Sequence, residues 1–77
     1  MIEAYVLIQT HAGTAAHVAE AISAIPGVLR AEAVTGPYDV IAQAESPAID
    51  DLGRLVVARI QQVEGIYRTL TCPVVEL

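Results

Sequence analysis

From residue 2 to residue 10 the chain alternates, with Ile2, Ala4, Val6 and Ile8 on one side and Tyr5 and Leu7 between Glu3 and Gln9 on the other. A period of two in a run of strand formers predicts a β-strand, and its half-apolar second side suits a sheet covered on both faces. After His11-Ala12-Gly13 the period changes. Ala15, Val18, Ala19, Ile22 and Ile25 fall on one stripe at helical spacing, Thr14 is placed to cap the helix, and Pro26-Gly27 stops it. Residues 28–35 and 38–45 read as two strands of a hairpin turning at Gly36-Pro37, with Val40, Ala42 and Ala44 on one face of the second. Ser46-Pro47 reads as the cap and first position of a second helix, striped by Leu52, Leu55, Val56, Ile60 and Val63 and ended before Gly65. A last strand covers residues 66–76. Pro73 lies inside it and lacks the N–H that a central ladder needs, which predicts a sheet edge.

The predicted order, β-α-β-β-α-β, also carries an internal repeat. Slid against itself by 38 positions, the chain matches Ala4 to Ala42, Val18 to Val56, Ile22 to Ile60, Ile25 to Val63, Gly27 to Gly65, Val28 to Ile66 and Arg30 to Arg68. A duplicated split βαβ unit gives the ferredoxin-like α+β fold: a four-stranded antiparallel sheet, both helices on one face, the first and third strands in the centre. Its second face, with Tyr5, Leu7, Ile41 and Gln43, is left uncovered and is best buried against another copy of the chain.

Composition sharpens this picture. At 77 residues the chain is read as one domain, 1–77, which excludes a multidomain enzyme. Its 55% of hydrophobic residues exceeds the ~45–50% usual for soluble domains, an excess that points to burial in an oligomer. Nine acidic residues against four arginines and no lysine give a net charge of -5 without any basic run, so direct binding to nucleic acid is not expected. No apolar run approaches the ~18 residues of a membrane span, and no positive residue precedes Arg30; a cytoplasmic protein is expected. The single Cys72 cannot form an internal disulfide and reads as a buried small hydrophobe. His11 and His17, six apart, do not share a helical face as metal pairs do, and Asp50-Asp51 suit the first turn of a helix better than an acid/base pair. No metal, cofactor or catalytic constellation is expected.

Candidate chemistry concentrates in Val34-Thr35-Gly36-Pro37-Tyr38-Asp39-Val40. A glycine in the turn allows close approach and leaves N–H groups able to hold a carboxylate, while Asp39, which the hairpin itself does not call for, offers a partner to an ammonium group. The alternative is a plain hairpin with an Asx-type turn.

Thr35-Gly36-Pro37-Tyr38-Asp39, followed after a helix by Gly65-Ile66 and then Thr69 and Thr71, resembles the effector-binding domain of the Lrp/AsnC (feast/famine) transcription regulators. The likeness covers essentially the whole chain, with Ile66 standing where the family's motif has valine. The resemblance implies an amino-acid-sensing module that pairs through its sheets as a dimeric α+β barrel and then forms rings of dimers, with effector between neighbouring dimers. By the same resemblance Thr35, Gly36, Tyr38 and Asp39 would hold the effector's polar groups, and Thr69 and Thr71 would line its side-chain pocket. Those two threonines share one face of the last strand; strand propensity on an exposed face is the other reading of them.

The regulators carry a helix-turn-helix half before this domain, whereas this sequence starts at the first strand. Any role in transcription is therefore expected through a partner such as a full-length Lrp/AsnC-type regulator. Two alternatives stay open. One is a small dimeric α+β barrel enzyme of the monooxygenase or decarboxylase kind, supported by fold analogy alone. The other is a purely structural or ACT-like regulatory module.

Overall fold

The computed structural model describes residues 1–76. Its elements are β1 (Ile2–Thr10), α1 (Ala15–Ser23), β2 (Val28–Ala33), β3 (Val40–Ser46), α2 (Ile49–Leu55) running on into a π-helical turn (Val56–Ile60), and β4 (Ile66–Pro73). The strands form one antiparallel sheet in the order β2-β3-β1-β4. Strands β1 and β3 are central, as the duplication requires, and the proline-bearing β4 is an edge. This is the ferredoxin-like fold. Ala4, Val6 and Ile8 of β1 alternate into the same layer as Val40, Ala42 and Ala44 of β3, all fully buried beneath Val18 and Ile22 of α1 and Leu52, Val56 and Ile60 of the second helix. The intervening residues point to the other face, where Tyr5 lies between Gln43 and Cys72 and Leu7 between Ile41 and Leu70.

Several local expectations are corrected. Thr14 does flank α1, but its hydroxyl donates to the carbonyls of His11 (2.7 Å) and Gly65 (3.4 Å) instead of accepting a helix N–H. The loop folds back on the start of β4, where the Gly65 carbonyl also takes the His11 N–H at 2.9 Å. Ser46 is buried as the last residue of β3, paired with Ile2, so α2 starts only at Ile49 after an extended Ala48 (φ -146°, ψ 165°). Ladder pairing with β1 outlasts the capping signal. Strands β2 and β3 stop short of residues 34–39, where the chain turns and the Val34 N–H donates to the Asp39 carbonyl at 2.8 Å. Strand β4 ends at Pro73, opposite Ala4, with only the Val74 N–H reaching on to the Glu3 carbonyl at 2.8 Å.

The π turn was not expected, and it explains a misfit in the helical stripe. An α-helix advances about 100° per residue, so Leu52, Val56 and Ile60 would drift by roughly 80° in two steps and Arg59 would take the inward place. A wider turn, closed by the Gln61 N–H on the Val56 carbonyl at 2.8 Å, absorbs one residue. Ile60 thus stays fully buried while Arg59 stays exposed.

The duplicated glycines do the same work in both halves. Gly27 and Gly65 have φ of 98° and 105°, a region that side-chain-bearing residues rarely adopt. A Cβ on Gly65 would also come within 3.1 Å of the Thr14 Cβ and the Val18 Cγ2, both packed. Gly65→Ala is therefore expected to destabilise the fold by about 2 kcal/mol, a fall of roughly 10 °C in Tm for a domain of this size. Thermal unfolding followed by circular dichroism checks this.

Candidate functional site

The hairpin tip holds the first group of expected site residues. Thr35 and Gly36 are exposed, while Tyr38 and Asp39 are half-buried. Asp39 Oδ2 accepts the Thr10 N–H at 2.8 Å, the Asp39 N–H donates to the Ile8 carbonyl at 2.9 Å, and the Gln9 side-chain amide donates to the Pro37 carbonyl at 3.1 Å. Strand β1 shifts register against β4 between Gln9 and Thr10, and at that irregularity the Asp39 carboxylate satisfies Thr10. The fold does call for this aspartate, contrary to the sequence reading. Gly36 has a φ of 159°, which side-chain-bearing residues rarely adopt, although a Cβ there would meet nothing within 4 Å.

Thr69 and Thr71 make the second group. They pair with Ile8 and Val6, which turns both toward the helices, half-buried and not on an exposed face. There they line a cavity of about 370 Å³ between β4 and the second helix, together with Ile49, Gly53, Val57 and Gln61. The Gln61 side-chain amide donates to Thr69 Oγ1 at 2.8 Å. Among the described residues no charged side chain lines the cavity. Ile49, Gly53, Val57 and Gln61 were missed from the sequence, although their spacing of four marks a second stripe flanking Leu52, Val56 and Ile60. Ile49 and Val57 are 56% and 58% exposed, which an apolar stripe belonging only to the core would not be.

The two groups do not share this cavity. The hairpin tip is tied to β1 from the β3 side, whereas Thr69 and Thr71 lie on the β4 side, about 10 Å away across two strand spacings. The open sheet face is a third feature. Tyr5, Ile41 and Leu70 lie on it partly exposed, rimmed by a Glu3–Gln43 hydrogen bond (3.1 Å) and an Arg30–Glu32 ion pair (2.6 Å). The hydrogen bond that Arg30 donates to the Glu32 carboxylate, helped by that group's charge, holds the guanidinium above its ordinary pKa. Cys72, expected to be buried, is half-buried on this face opposite Tyr5, because its place in the β4 register is opposite in phase to the helix-facing threonines.

His11 and His17 are exposed, with the His11 ring edge-on to Tyr67 (centroids 5.7 Å apart). Among the described residues no three His, Cys, Asp or Glu side chains are grouped to hold a metal ion, and no helix is long and apolar enough to cross a membrane.

Residues 3–77 match the family model of the Lrp/AsnC ligand binding domain. An uncharacterized HTH-type transcriptional regulator of Pyrococcus horikoshii, PH1916, is 31% identical over 58 residues, which are 75% of this chain and 39% of that protein. The chain thus matches only about two-fifths of the length of this curated relative. TTHA0845 from Thermus thermophilus has a structure superposing with a TM-score of 0.92 at 34% identity, over 100% of this chain and 96% of that one. The fold also recurs, at 21% identity and a TM-score of 0.84, in the transcriptional regulator NMB0573 of Neisseria meningitidis, solved as an L-Met complex; the match covers 97% of this chain and 50% of that one. The chain belongs to the Lrp/AsnC ligand-binding domain family.

Proposed function

We propose that this chain is a non-catalytic, cytoplasmic amino-acid-binding and oligomerisation module, one domain over 1–77, that tunes transcription through a full-length Lrp/AsnC-type regulator. The observation that carries this reading is the cavity lined by Thr69 and Thr71 on an Lrp/AsnC frame, with apolar walls and two hydroxyls at one side. The L-Met complex of NMB0573 agrees with an amino acid as the ligand. Two copies pair through Tyr5, Ile41 and Leu70 of the open sheet faces, a closure that removes exposed apolar surface from water. Pairs then assemble into rings, which bring the hairpin of one copy toward the threonine cavity of another. Thr35, Gly36 and Tyr38 offer backbone N–H groups to the carboxylate, and Asp39 Oδ1, the oxygen not bonded to Thr10, takes the ammonium.

Calorimetric titration with each common amino acid, paired with light-scattering mass, tests the reading. The expected result is saturable binding of one or a few amino acids to an assembly of several dimers. A plain dimer that binds none of them overturns it.

A further inference from the structure

The outer side of the second helix carries an apolar stripe that the core does not use. Ile49 and Val57, each more than half exposed, stand four residues before and four residues after Gly53. With Asp50, Arg54 and Ala58 they line an open groove of about 510 Å³ on the surface of the helix. The core is served by the neighbouring stripe of Leu52, Val56 and Ile60. Gly53 is as little explained by the chain itself. Glycine is a poor helix former, its φ here is not positive, and a Cβ on it would meet nothing within 4 Å. Such a glycine has a use when another backbone comes close, because helix axes pack about 8–10 Å apart according to the side chains between them and glycine at the crossing permits the near end.

The pattern is symmetric about Gly53, and the symmetry decides what approaches. When a second copy lays the same helix antiparallel across this one, with a two-fold axis at Gly53, Ile49 of each copy meets Val57 of the other and glycine meets glycine. Asp50, Arg54 and Ala58 each follow the stripe by one residue and share one flank of it. The same axis leaves Asp50 of each copy only about 3 Å along the helix from Arg54 of the other, two residues at roughly 1.5 Å each. Arg54 already holds Asp51 at 2.9 Å, so the two guanidinium groups lie among four carboxylates. A parallel pairing would instead set Asp50 against Asp50 and Arg54 against Arg54, like charge on like.

We infer that this face of the second helix is a self-association surface, on which two copies cross their helices antiparallel at Gly53. The contact is separate from the pairing of the open sheet faces and needs no amino acid: the sheets make a dimer, and the helices join one dimer to the next. Val57→Glu would bury a carboxylate against Ile49 of the other copy, where the antiparallel crossing supplies it no partner. Because Val57 is exposed in the single chain, the fold is left intact.

The test is sedimentation velocity of the parent and Val57→Glu without added ligand, with circular dichroism to show that the variant is folded, followed by cross-linking. The parent is expected to sediment as an assembly larger than a dimer and Val57→Glu as a dimer, its association between dimers weakened at least about tenfold. In a Cys72→Ser background, Ile49→Cys alone and Val57→Cys alone are expected to stay unlinked under mild oxidation, whereas an equimolar mixture of the two forms a disulfide between position 49 of one copy and position 57 of the other, read by mass spectrometry. A Val57→Glu variant with the parent's mass overturns the helix contact, as does a parent that is a plain dimer and remains one as Val57→Glu; neither result touches the sheet pairing. Linking of the single variants as readily as of the mixture overturns the antiparallel crossing. A parent dimer that Val57→Glu reduces to a monomer supports the helix contact and overturns the sheet pairing instead.

Discussion

Ile8→Ala should lower the unfolding free energy by about 4 kcal/mol, within the range of roughly 2–5 for truncating a buried isoleucine. Ile8 is fully buried on a central strand, paired with Val40 on one side and Thr69 on the other, and shares its core cluster with Val18, Ile22 and Ile60. Strands on both sides and helices above prevent the site from collapsing around the void, which puts the loss toward the upper end. Domains are stable by only about 0.05–0.15 kcal/mol per residue, so the variant is expected to lose roughly a third or more of the stability of the whole chain. Chemical denaturation checks the size of the effect. A loss below about 1 kcal/mol would mean that the helices do not cover β1 as described.

Asp39→Ala has two consequences, one for the fold and one for the proposed site. It removes the acceptor for the Thr10 N–H and should destabilise the chain by about 1.5–3 kcal/mol, the usual worth of a hydrogen bond to a charged group. It also removes the charge proposed to meet the ligand's ammonium, and amino-acid affinity should fall by roughly tenfold to 100-fold. Asp39→Asn separates the two. Its amide oxygen can still accept from Thr10, so stability should stay within about 1 kcal/mol of the parent while binding is still lost. If Asp39→Asn binds its amino acid as the parent does, the ammonium is held elsewhere.

The fold was legible because two periods are cleanly written in the chain. Ala4, Val6 and Ile8 alternate, Val18 and Ile22 recur at helical spacing, and the Gly27/Gly65 pair marks the same turn in each half, now seen with φ of 98° and 105°. Boundaries were harder to read, since they depend on partners distant in sequence: Ser46 stays in β3 because Ile2 pairs with it. The π turn escaped because its cause is three-dimensional, although the choice of Ile60 over Arg59 in an otherwise α-helical stripe is its trace. At the site, Thr69 and Thr71 were found through a motif, whereas Gln61 and Gly53 belong to no motif and become visible only when β4 is set beside the helix. Asp39 was named for its charge, and its bond to Thr10, 29 positions away in sequence, needs the folded register.

The central claim is that an amino acid occupies the β4–helix cavity with its polar groups at the hairpin. Amide and side-chain NMR of the labelled protein, titrated with L-leucine and L-methionine, tests it most directly. The account predicts saturable shifts concentrated at Gly53, Val57, Gln61, Thr69 and Thr71, with a second set at Gly36, Tyr38 and Asp39. Saturable shifts confined to the open sheet face around Tyr5, Ile41 and Leu70, or none with any amino acid, would contradict it.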